Sequence, residues 1–477
     1  MTDLEAPETA GSRMSELFAA QRSRFRVRPP GHAERLDALR SMERVLLTRR
    51  HDIAEAISTD FGGRAHQETF ALELFPLVNE IRHACEHLRR WMEPEPAPVQ
   101  WQFWPAKARI VHQPLGVVGI LSTWNYPLFL SFGPLVGALA AGNHALLKPS
   151  ELAPVTADVM ASIVAELYPP ACVAVVTGGP DVAAALTALP LDHLLFTGST
   201  RVGKLVMKAA SENLVPVTLE LGGKSPVIVH PAYDIERAAT RIMTGKLYTA
   251  GQTCVAPDYV LVPVQRRDEF VSAARAAAAR MYPTLVRNPD YSRIINAHHY
   301  RRLTALVDDA RAAGATVIEV NPASEQCHEG NRVFPPTLVL GGREAMTLLS
   351  EEIFGPILPV IEYETLDEAI AYVNARPHPL ALYYFDDNER RADETVARIT
   401  AGGVTVNDCM FHVGQPSLPF GGVGASGMGR YHGFDGFQTF SHRKAVFIQR
   451  RWTPIGLFRP PYGVAARRIL RLLLGPG

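Results

Sequence analysis

The chain has 477 residues, of which 47% are hydrophobic and 20% are charged, so it can bury a large core and is not a disordered protein. Lys and Arg together number 48, as do Asp and Glu, and without a basic excess the composition argues against nucleic-acid binding. Five widely spaced cysteines and a start, residues 1–5, without signal-peptide character predict a reduced cytoplasmic protein.

Two segments before residue 95 have the apolar spacing of amphipathic helices. Leucines with Met42 and Val45 recur at three- and four-residue steps over 36–47, and a similar pattern returns over 70–91. In the second segment His83 and His87 share a helical face, as in a zinc helix. The glutamate of that motif does not follow the first histidine and no third ligand is evident, so no metal site is predicted.

Residues 113–147 contain no Asp, Glu, Lys or Arg, a length that raises the possibility of a membrane span. Glycines and prolines interrupt the segment, so no continuous apolar stretch of bilayer length remains. The favoured interpretation is a strand over 115–121, a helix over 128–141 and a strand over 144–148. This βαβ unit predicts a parallel sheet that is covered on both faces.

Strands and helices continue to alternate as far as residue 374, which predicts a doubly wound α/β fold and a second α/β domain beginning near residue 217. The further elements are predicted at 155–167, 171–177, 182–188, 193–197, 204–210, 217–221, 234–250, 259–262, 267–281, 300–313, 316–319, 338–339 and 366–374. From residue 414 onward the chain is rich in glycine and has only short apolar strands, such as 445–448.

Polar groups follow two of the apolar strands at the carboxyl edge, where open α/β sheets bind ligands. The glycine turn 198–203 could hold a pyrophosphate at a helix N-terminus, or it could be an ordinary connection between strand and helix. Lys148 and Glu151 could hydrogen-bond ribose hydroxyls. The alternative is that Ser150 caps a helix whose dipole favours Glu151.

Three other residues could act on a substrate. Cys254 lies in a polar turn, unlike Cys172 in its apolar run, and could be a nucleophile. Glu220 ends an apolar strand, which would raise its pKa and suit a general base; the alternative is a buried ion pair with Lys224. Asn125, in an uncharged aromatic loop, could stabilise an oxyanion or only satisfy backbone groups of a turn.

These motifs together resemble the aldehyde dehydrogenase superfamily, and the resemblance extends from about residue 14 to 450. Seven segments occur in that family's order: 124–127, 148–151, 198–203, 220–224, 251–254, 351–356 and 418–424. Residues 256–259 and 427–433 resemble the class 3 branch. Within it, residues 110–150 and 459–463 are most similar to coniferyl aldehyde dehydrogenases.

The resemblance implies three structural units and a reaction. A Rossmann-type nucleotide-binding domain would comprise 1–95 and 113–216, a catalytic domain 217–408, and a small β bridging arm with the tail 96–112 and 409–477. The arm would join a homodimer. The implied reaction is the oxidation of an aldehyde, aromatic such as coniferyl aldehyde or medium-chain aliphatic, to its acid with NAD and more weakly with NADP.

The resemblance also implies residue roles. Cys254 would be the nucleophile, Glu220 the general base that hydrolyses the thioester, and Asn125 would form the oxyanion hole with the Cys254 backbone N–H. The implied cofactor residues are Trp124, Lys148, Glu151, Gly198, Ser199, Val202, Gly203, Glu352 and Phe354.

Departures from the family pattern concern rigidity and specificity. Thr123 stands where proline is common, which predicts a less rigid oxyanion loop, and Thr249 stands where Asn is common. Cys409 and Phe411 are expected to line the region where substrate enters.

The C-terminal tail has the residue pattern of a short amphipathic helix. Residues 465–474 mix arginines and leucines at helical spacing, which favours a helix packed on the protein or on its dimer partner and leaves a membrane-surface contact as the alternative.

A cofactor-independent thiol esterase and a catalytically inactive structural protein are the alternative functions.

Overall fold

The structure, a computed structural model, describes residues 10–342, 346–453, 456 and 459–475. Residues 1–5, on which the prediction about a signal peptide rested, lie outside the described residues. Within the described part of the chain, no helix has both the length and the apolar character needed to cross a bilayer.

The strands in chain order are β1 (Glu95–Ala97), β2 (Lys107–Pro114), β3 (Val117–Leu121), β4 (His144–Lys148), β5 (Val173–Val175), β6 (His193–Gly198), β7 (Val217–Leu221), β8 (Pro226–Val229), β9 (Tyr259–Pro263), β10 (Thr316–Glu319), β11 (Thr337–Leu340), β12 (Ile357–Tyr363), β13 (Ala381–Phe385), β14 (Gly403–Val406), β15 (Gly427–Met428) and β16 (Ser441–Ile448).

The helices are α1 (Ala10–Val27), α2 (His32–Thr48), α3 (Arg50–Phe61), α4 (His66–Thr69), α5 (Phe75–Met92), α6 (Pro127–Ala141), α7 (Pro154–Leu167), α8 (Pro180–Thr187), α9 (Thr200–Ser211), α10 (Ile235–Leu247), α11 (Arg267–Met281), α12 (Ala297–Ala312), α13 (Thr347–Ser350), α14 (Leu366–Asn374), α15 (Glu389–Val396), α16 (Gly433–Thr439) and α17 (Val464–Leu474). Turns of π- or 3₁₀-helix occupy Phe70–Leu74, Trp101–Phe103, Tyr248–Gly251 and Val264–Arg266.

The first sheet has six strands in the order β15-β7-β6-β3-β4-β5. Five of them are parallel, and β15 pairs antiparallel with β7 at one edge. All residues of β3 and β4 are buried, because α6 covers one face of the sheet while α1 and α8 cover the other. The uncharged segment 113–147 is therefore the centre of this sheet with its most buried helix, α6, which agrees with the predicted βαβ unit.

The second sheet has seven strands in the order β10-β11-β12-β9-β8-β13-β14, parallel except for β10. The predicted α/β class with a second α/β unit is thereby confirmed. One proposed domain boundary falls a strand too early, because β7 belongs to the first sheet and hydrogen-bonds β6. A division after residue 221 fits the sheets better than the predicted division after 216. The domain assignment as a whole stays a prediction.

A third, antiparallel sheet has the order β1-β2-β16 and lies mostly in the segments predicted to form the arm. Between β15 and β16, helix α16 packs on α6 where Gly137 meets Gly436; a Cβ on Gly137 would lie 3.2 Å from a backbone atom of Gly436. The tail forms the predicted helix, α17, but only Ala466 is buried and Leu472 and Leu474 are more than 80% exposed. The helix therefore packs on its own chain mainly through Ala466, and the expectation that it packs on the protein or on a dimer partner stays a prediction.

Candidate active site

The turn that carries the candidate nucleophile follows α10. The sequence predicted a helix over 234–250, but regular helix stops short of this turn because the backbone becomes left-handed. The φ angles are 51° at Thr249, 50° at Ala250 and 74° at Gly251, which is costly for the two residues that have a Cβ. Such strained segments are concentrated at functional sites. The turn leads directly to Cys254.

Thr249 keeps this conformation through its contacts. Its N–H donates to Glu68 Oε1 at 3.1 Å, and its hydroxyl donates to the Tyr126 hydroxyl at 3.2 Å. Gln252 Nε2 donates to the carbonyl oxygens of Thr249 and Arg293, at 2.9 and 3.0 Å. These bonds offset the cost of a β-branched residue at a position where Asn, which tolerates left-handed backbone, is the family's common choice.

The Cys254 thiol borders a cavity and is partly buried. Burial raises its pKa well above the ordinary value, and the nearby Glu220 and Glu352 carboxylates raise it further. The backbone N–H groups of Cys254 and Val255 hydrogen-bond the sulfur and act in the opposite direction. In the unliganded protein the thiol is therefore protonated at neutral pH.

Glu220 lies in β7 and is 1% exposed. Burial raises its pKa well above the ordinary value, as its apolar neighbours in sequence predict, and its Oε1 has no hydrogen-bond partner among the described residues. The alternative of an ion pair with Lys224 is wrong, because Lys224 instead pairs with Asp258. Gly427 of β15, in the glycine-rich tail, is the residue paired with Glu220 in the antiparallel ladder.

Asn125 is 1% exposed, and its Nδ2 donates to the carbonyl oxygen of Gln252 at 3.1 Å. One of its two amide hydrogens is thereby used, which leaves the other for a ligand. Arg64 Nη1 donates to the Asn125 carbonyl oxygen at 3.0 Å and to Glu73 Oε1 at 2.9 Å. Glu73 Oε2 accepts from two N–H groups in the first turn of α6, at 2.9 and 3.2 Å.

The pair of Arg64 and Glu73 is fully buried and was missed by the sequence analysis. A detectable signal was present, because Glu73 stands between two leucines, the pattern that drew attention to Glu220. The pair ties the loop that carries Asn125 to the first turn of α6, and the expectation that Thr123 makes this loop less rigid stays a prediction. Removing one partner of such a pair would strand a buried charge, so it is a strong restraint.

The cavity beside Cys254 has a volume of about 420 Å³. It has no Asp, Glu, Lys, Arg or His in its wall, whose side chains come from Leu72, Phe75, Tyr126, Phe129, Leu130, Tyr248, Met410, Phe411, Val413, Gln415 and Phe420, among others. The π-helical turn at Phe70–Leu74 brings one side of the wall into place, a distortion that is frequent at functional sites.

Of the two residues expected to line the substrate entrance, only Phe411 does so. Phe411 borders the cavity and is 61% exposed, whereas Cys409 is 3% exposed and does not reach it. The Cys409 Cβ packs against Gly245 of α10, where a Cβ would approach it to 2.6 Å. The expectation for Cys409 is therefore wrong, because the turn after β14 directs it into the core.

A second depression, of about 600 Å³, lies at the carboxyl edge of the six-stranded sheet. Among the residues that border it are Trp124, Lys148, Glu151, Gly198, Ser199, Arg201 and Val202. Six of the nine predicted cofactor residues thus share one groove. Gly203 does not border it: a Cβ there would approach Leu221 to 2.6 Å, so this glycine permits α9 to pack closely on β7.

Lys148 and Glu151 form an ion pair at 2.7 Å within this groove. Partial burial acts to raise the pKa of Glu151, but the hydrogen bond and charge of Lys148, together with the Glu151 backbone N–H, outweigh it and the pKa is lowered. Ser150 does not cap a helix, since its hydroxyl accepts from the Leu152 N–H and α7 begins only at Pro154. The alternative of a helix cap is thus wrong for Ser150.

Ser199 is the N-cap of α9 and its hydroxyl accepts from the Val202 N–H at 3.4 Å. The helix begins earlier than the predicted residue 204, immediately after the cap. The first turn of α9 therefore lies along the groove, and the free backbone N–H groups of a helix N-terminus suit a phosphate. The buried Thr197 hydroxyl, with no partner among the described residues, adds a further polar group there.

Glu352 lies against the end of β7, where a Cβ on Gly222 would overlap its carboxylate. Burial raises the pKa of Glu352 to about 8, and its Oε1 has no hydrogen-bond partner within the described ranges. Phe354 packs edge-on against Trp124 with ring centroids 5.4 Å apart. Glu352 is thus near the Cys254 thiol and Phe354 contacts Trp124 of the groove, although neither residue borders the groove itself, and their role toward a cofactor stays a prediction.

The histidines weighed as metal ligands make aromatic contacts. The rings of His83 and His87 are 4.3 Å apart, and His87 stacks on Trp91. In the described part of the chain, no group of three or more His, Cys, Asp or Glu side chains is arranged to hold a metal ion.

Comparison with known proteins adds to this geometry. Residues 8–446 match the aldehyde dehydrogenase family. A probable coniferyl aldehyde dehydrogenase of Caulobacter vibrioides is 48% identical over 464 residues, with 96% of each chain covered. The coniferyl aldehyde dehydrogenase of a Pseudomonas species is 45% identical, with 98% of each covered. Aldehyde dehydrogenase family 3 member H1 of Arabidopsis thaliana is 36% identical, with 93% of this chain and 91% of that one covered.

Solved structures agree with the fold. The substrate-bound AldH of Staphylococcus aureus superposes with a TM-score of 0.91 at 38% identity, covering 97% of this chain and 99% of that one. A Mycobacterium tuberculosis aldehyde dehydrogenase complexed with NAD⁺ gives 0.85 at 28% identity, covering 94% and 92%. The resemblance read from the sequence is confirmed.

Proposed function

Since the chain belongs to the aldehyde dehydrogenase family, whose chemistry is the oxidation of aldehydes, we propose that it converts an uncharged aromatic or medium-chain aldehyde to the carboxylic acid through a thioester on Cys254. The observation that carries this proposal is the position of Cys254. It borders an uncharged cavity and lies near two buried carboxylates, with a spare amide hydrogen available on Asn125.

The groove fits a dinucleotide. Lys148 and Glu151 would bind the adenosine ribose, the Ser199 turn the pyrophosphate, and Val202 one face of the adenine. Glu352, which has an unpartnered buried oxygen, would hold the nicotinamide ribose, and Phe354 would contact the ring. When bound, NAD accepts the hydride. The relative complexed with NAD⁺ supports this choice, and the groove argues against a cofactor-independent esterase.

The first chemical step falls to Cys254. Its sulfur adds to the carbonyl carbon, and the aldehyde oxygen becomes an oxyanion. Asn125 Nδ2 and the Cys254 N–H would donate to that oxygen, while the cavity wall excludes water. Because the thiol is protonated in the free protein, it must lose its proton as the substrate binds, which the raised pKa of Glu220 equips that carboxylate to accept.

The second step is hydrolysis of the thioester. Glu220, once it has released the thiol proton to solvent, takes a proton from water; the resulting hydroxide adds to the acyl carbon, and the Cys254 sulfur leaves as a thiolate that can recover a proton from Glu220. A carboxyl whose pKa is raised by burial is a better base than an exposed one, which suits this role. Asn125 again stabilises the oxyanion.

The cavity wall points to the class of aldehyde. A charged substrate would lose its hydration without gaining a partner, because none of the residues bordering the cavity is charged. Coniferyl aldehyde, an aromatic ring with a conjugated aldehyde, suits a wall rich in aromatic rings, and the Tyr248 and Gln415 side chains are polar groups that a ring hydroxyl could meet.

A panel of aldehydes tests the proposal, with reduced nicotinamide followed by absorbance. Coniferyl aldehyde and a medium-chain alkanal should be turned over with NAD, and an aldehyde that carries a carboxylate should be a poor substrate. Turnover of esters without any aldehyde oxidation would contradict the proposal. Equal efficiency with the charged aldehyde would contradict the assigned substrate class.

We also propose that two copies associate through sheet edges. β14 ends the seven-stranded sheet with Val406 exposed, and β16 ends the arm sheet with Phe447 and Ile448 exposed. Open apolar edges of this kind are normally paired or covered. Light scattering should give twice the mass of the chain, and a proline at Val406, which would block added pairing, should shift the molecule toward the monomer. A wild-type monomer would contradict the proposal.

The exposed helix α17 has its arginines and leucines available to that partner or to a lipid surface. We favour the partner. Co-sedimentation of the full chain with anionic vesicles, but not of a chain ending at Gly463, would contradict this choice.

A further inference from the structure

A cavity of about 470 Å³, separate from the cavity at Cys254 and from the groove, lies between the turn after α3 and the segment that precedes α12. Its wall consists of Ser58, Gly63, Arg64, His66, Gln67, Val286, Arg287, Asn288, Pro289, Tyr291 and Arg293. Three arginines, a histidine and two amides therefore face one space, and no carboxylate borders it. We propose that this cavity binds a phosphate group.

The charge around the cavity is only partly compensated. Arg64 lies between two buried carboxylates, 2.9 Å from Glu73 and 3.9 Å from Glu68, and its Nε and Nη2 make no hydrogen bond with any described residue. Arg287 and Arg293 form no ion pair with any described residue within 4.0 Å. The positive charge that a ligand in the cavity can meet is therefore that of Arg287 and Arg293.

Glu68 and Glu73 pair with Arg64, whereas the carboxylates nearest to Arg287 and His66 do not border the cavity. Glu325 accepts hydrogen bonds from backbone N–H groups, including those of Leu285 and Val286, and both these bonds and the charge of Arg287 lower its pKa. Glu55 lies 3.3 Å from His66 and is largely exposed. Asp290 belongs to the same segment but does not border the cavity.

The walls of the cavity are held together before any ligand binds. The Arg293 N–H donates to the Gly63 carbonyl oxygen at 2.9 Å. Gly63 has a φ of 138°, which favours glycine, and a Cβ there would lie 3.1 Å from Arg293 Nε. A side chain at this position would therefore crowd the Arg293 guanidinium where it packs on the turn. A preformed cluster of guanidinium groups suits the tetrahedral oxygens of phosphate, which it can contact through several hydrogen bonds.

Hydrogen bonds of two residues in the cavity wall, Arg64 and Arg293, connect the cavity to the candidate active site. Arg64 donates to the Asn125 carbonyl oxygen, and the Arg293 carbonyl accepts from Gln252, whose own carbonyl accepts from Asn125 Nδ2. Occupation of the cavity would therefore stiffen the loop that carries Asn125, without contact with the substrate.

The test measures the binding of inorganic phosphate to the whole protein by calorimetry and by its effect on thermal unfolding, at constant ionic strength balanced with chloride. Wild-type protein should be stabilised with saturation. Arg287→Gln and Arg293→Gln should each bind phosphate about tenfold more weakly, the loss expected for one charge-assisted hydrogen bond. Arg287→Lys should retain part of the affinity, because the charge remains. Arg275→Gln, an exposed arginine on α11, is the matched control and should bind as wild type does.

Glycerol 3-phosphate identifies the source of the phosphate group. Tighter binding than inorganic phosphate would indicate a phosphate monoester, since the cavity is larger than a phosphate ion needs; weaker binding would indicate the free ion. Binding that is unchanged in both glutamine variants would place the phosphate elsewhere, for example in the cofactor groove, and would overturn the proposal. Equal stabilisation by chloride alone, or an equal loss in Arg275→Gln, would also overturn it.

Discussion

The cavity beside Cys254 and the groove beside Ser199 share the loop that contains Trp124 and Tyr126, yet their chemistry is opposite. The cavity is uncharged, and burial raises the pKa values of Cys254 and Glu220 next to it. The groove is lined by an ion pair and a polar helix start. Burial therefore raises pKa values on the side proposed for the reaction, whereas the side proposed for the cofactor presents an ion pair and backbone N–H groups.

The largest expected effect is in the cavity. Cys254→Ser should lower aldehyde oxidation by about 10⁴-fold or more, because a serine hydroxyl has a far higher pKa than a thiol and is a much weaker nucleophile. Binding of NAD, measured by calorimetry, should stay close to wild type because the groove is untouched.

Cys172→Ser is the matched control, since that thiol lies outside the cavity and should be dispensable. Wild-type turnover in Cys254→Ser would show that the cavity is not the reaction site.

Glu220→Gln should slow steady-state turnover by about 10²- to 10⁴-fold, because an amide cannot take the proton from water. Rapid mixing should show a burst of reduced cofactor followed by a slow phase, since hydride transfer precedes hydrolysis. Glu212→Gln, an exposed change in the same region of the chain, should behave as wild type. A burst lost in parallel with turnover would give Glu220 a structural role instead.

The pH dependence of thiol alkylation examines the electrostatics of the cavity directly. The reactive thiolate is disfavoured by a pKa above 9, so the rate of Cys254 modification by iodoacetamide in the free protein should rise with pH through pH 9 without a plateau. Removing one neighbouring negative charge in Glu220→Gln lowers that pKa, so alkylation at pH 8 should be about two- to tenfold faster. A plateau below pH 8 in the wild type would refute the assignment of a protonated thiol.

The smallest expected effect is in the groove. Glu151→Gln should raise the kcat/KM ratio of NADP to NAD by about five- to tenfold, because the carboxylate repels a 2′-phosphate but is partly exposed and screened by solvent. Glu166→Gln, on the exposed face of α7, should leave the ratio unchanged. An unchanged ratio in Glu151→Gln would mean that this carboxylate does not contact the ribose.

The sequence by itself determined the alternation of elements and the local chemistry of most site residues. Apolar runs with no charge can only be buried strands or a buried helix, so β3, α6 and β4 were predictable from composition. Glu220 was identified for the same reason, since a carboxylate between leucines in a buried strand must have a raised pKa.

The tertiary structure alone decided which distant groups meet. Arg64, in the turn after α3, and Glu73, in the π-helical turn, reach the loop that carries Asn125, and nothing in their neighbours along the chain reveals Asn125 as a partner. Cys409 turns into the core and Lys224 pairs with Asp258 because packing and charge pairing between separate elements fix side-chain directions. Sequence patterns report burial and periodicity, which are local, whereas contacts between elements depend on how the two sheets and their helices are stacked.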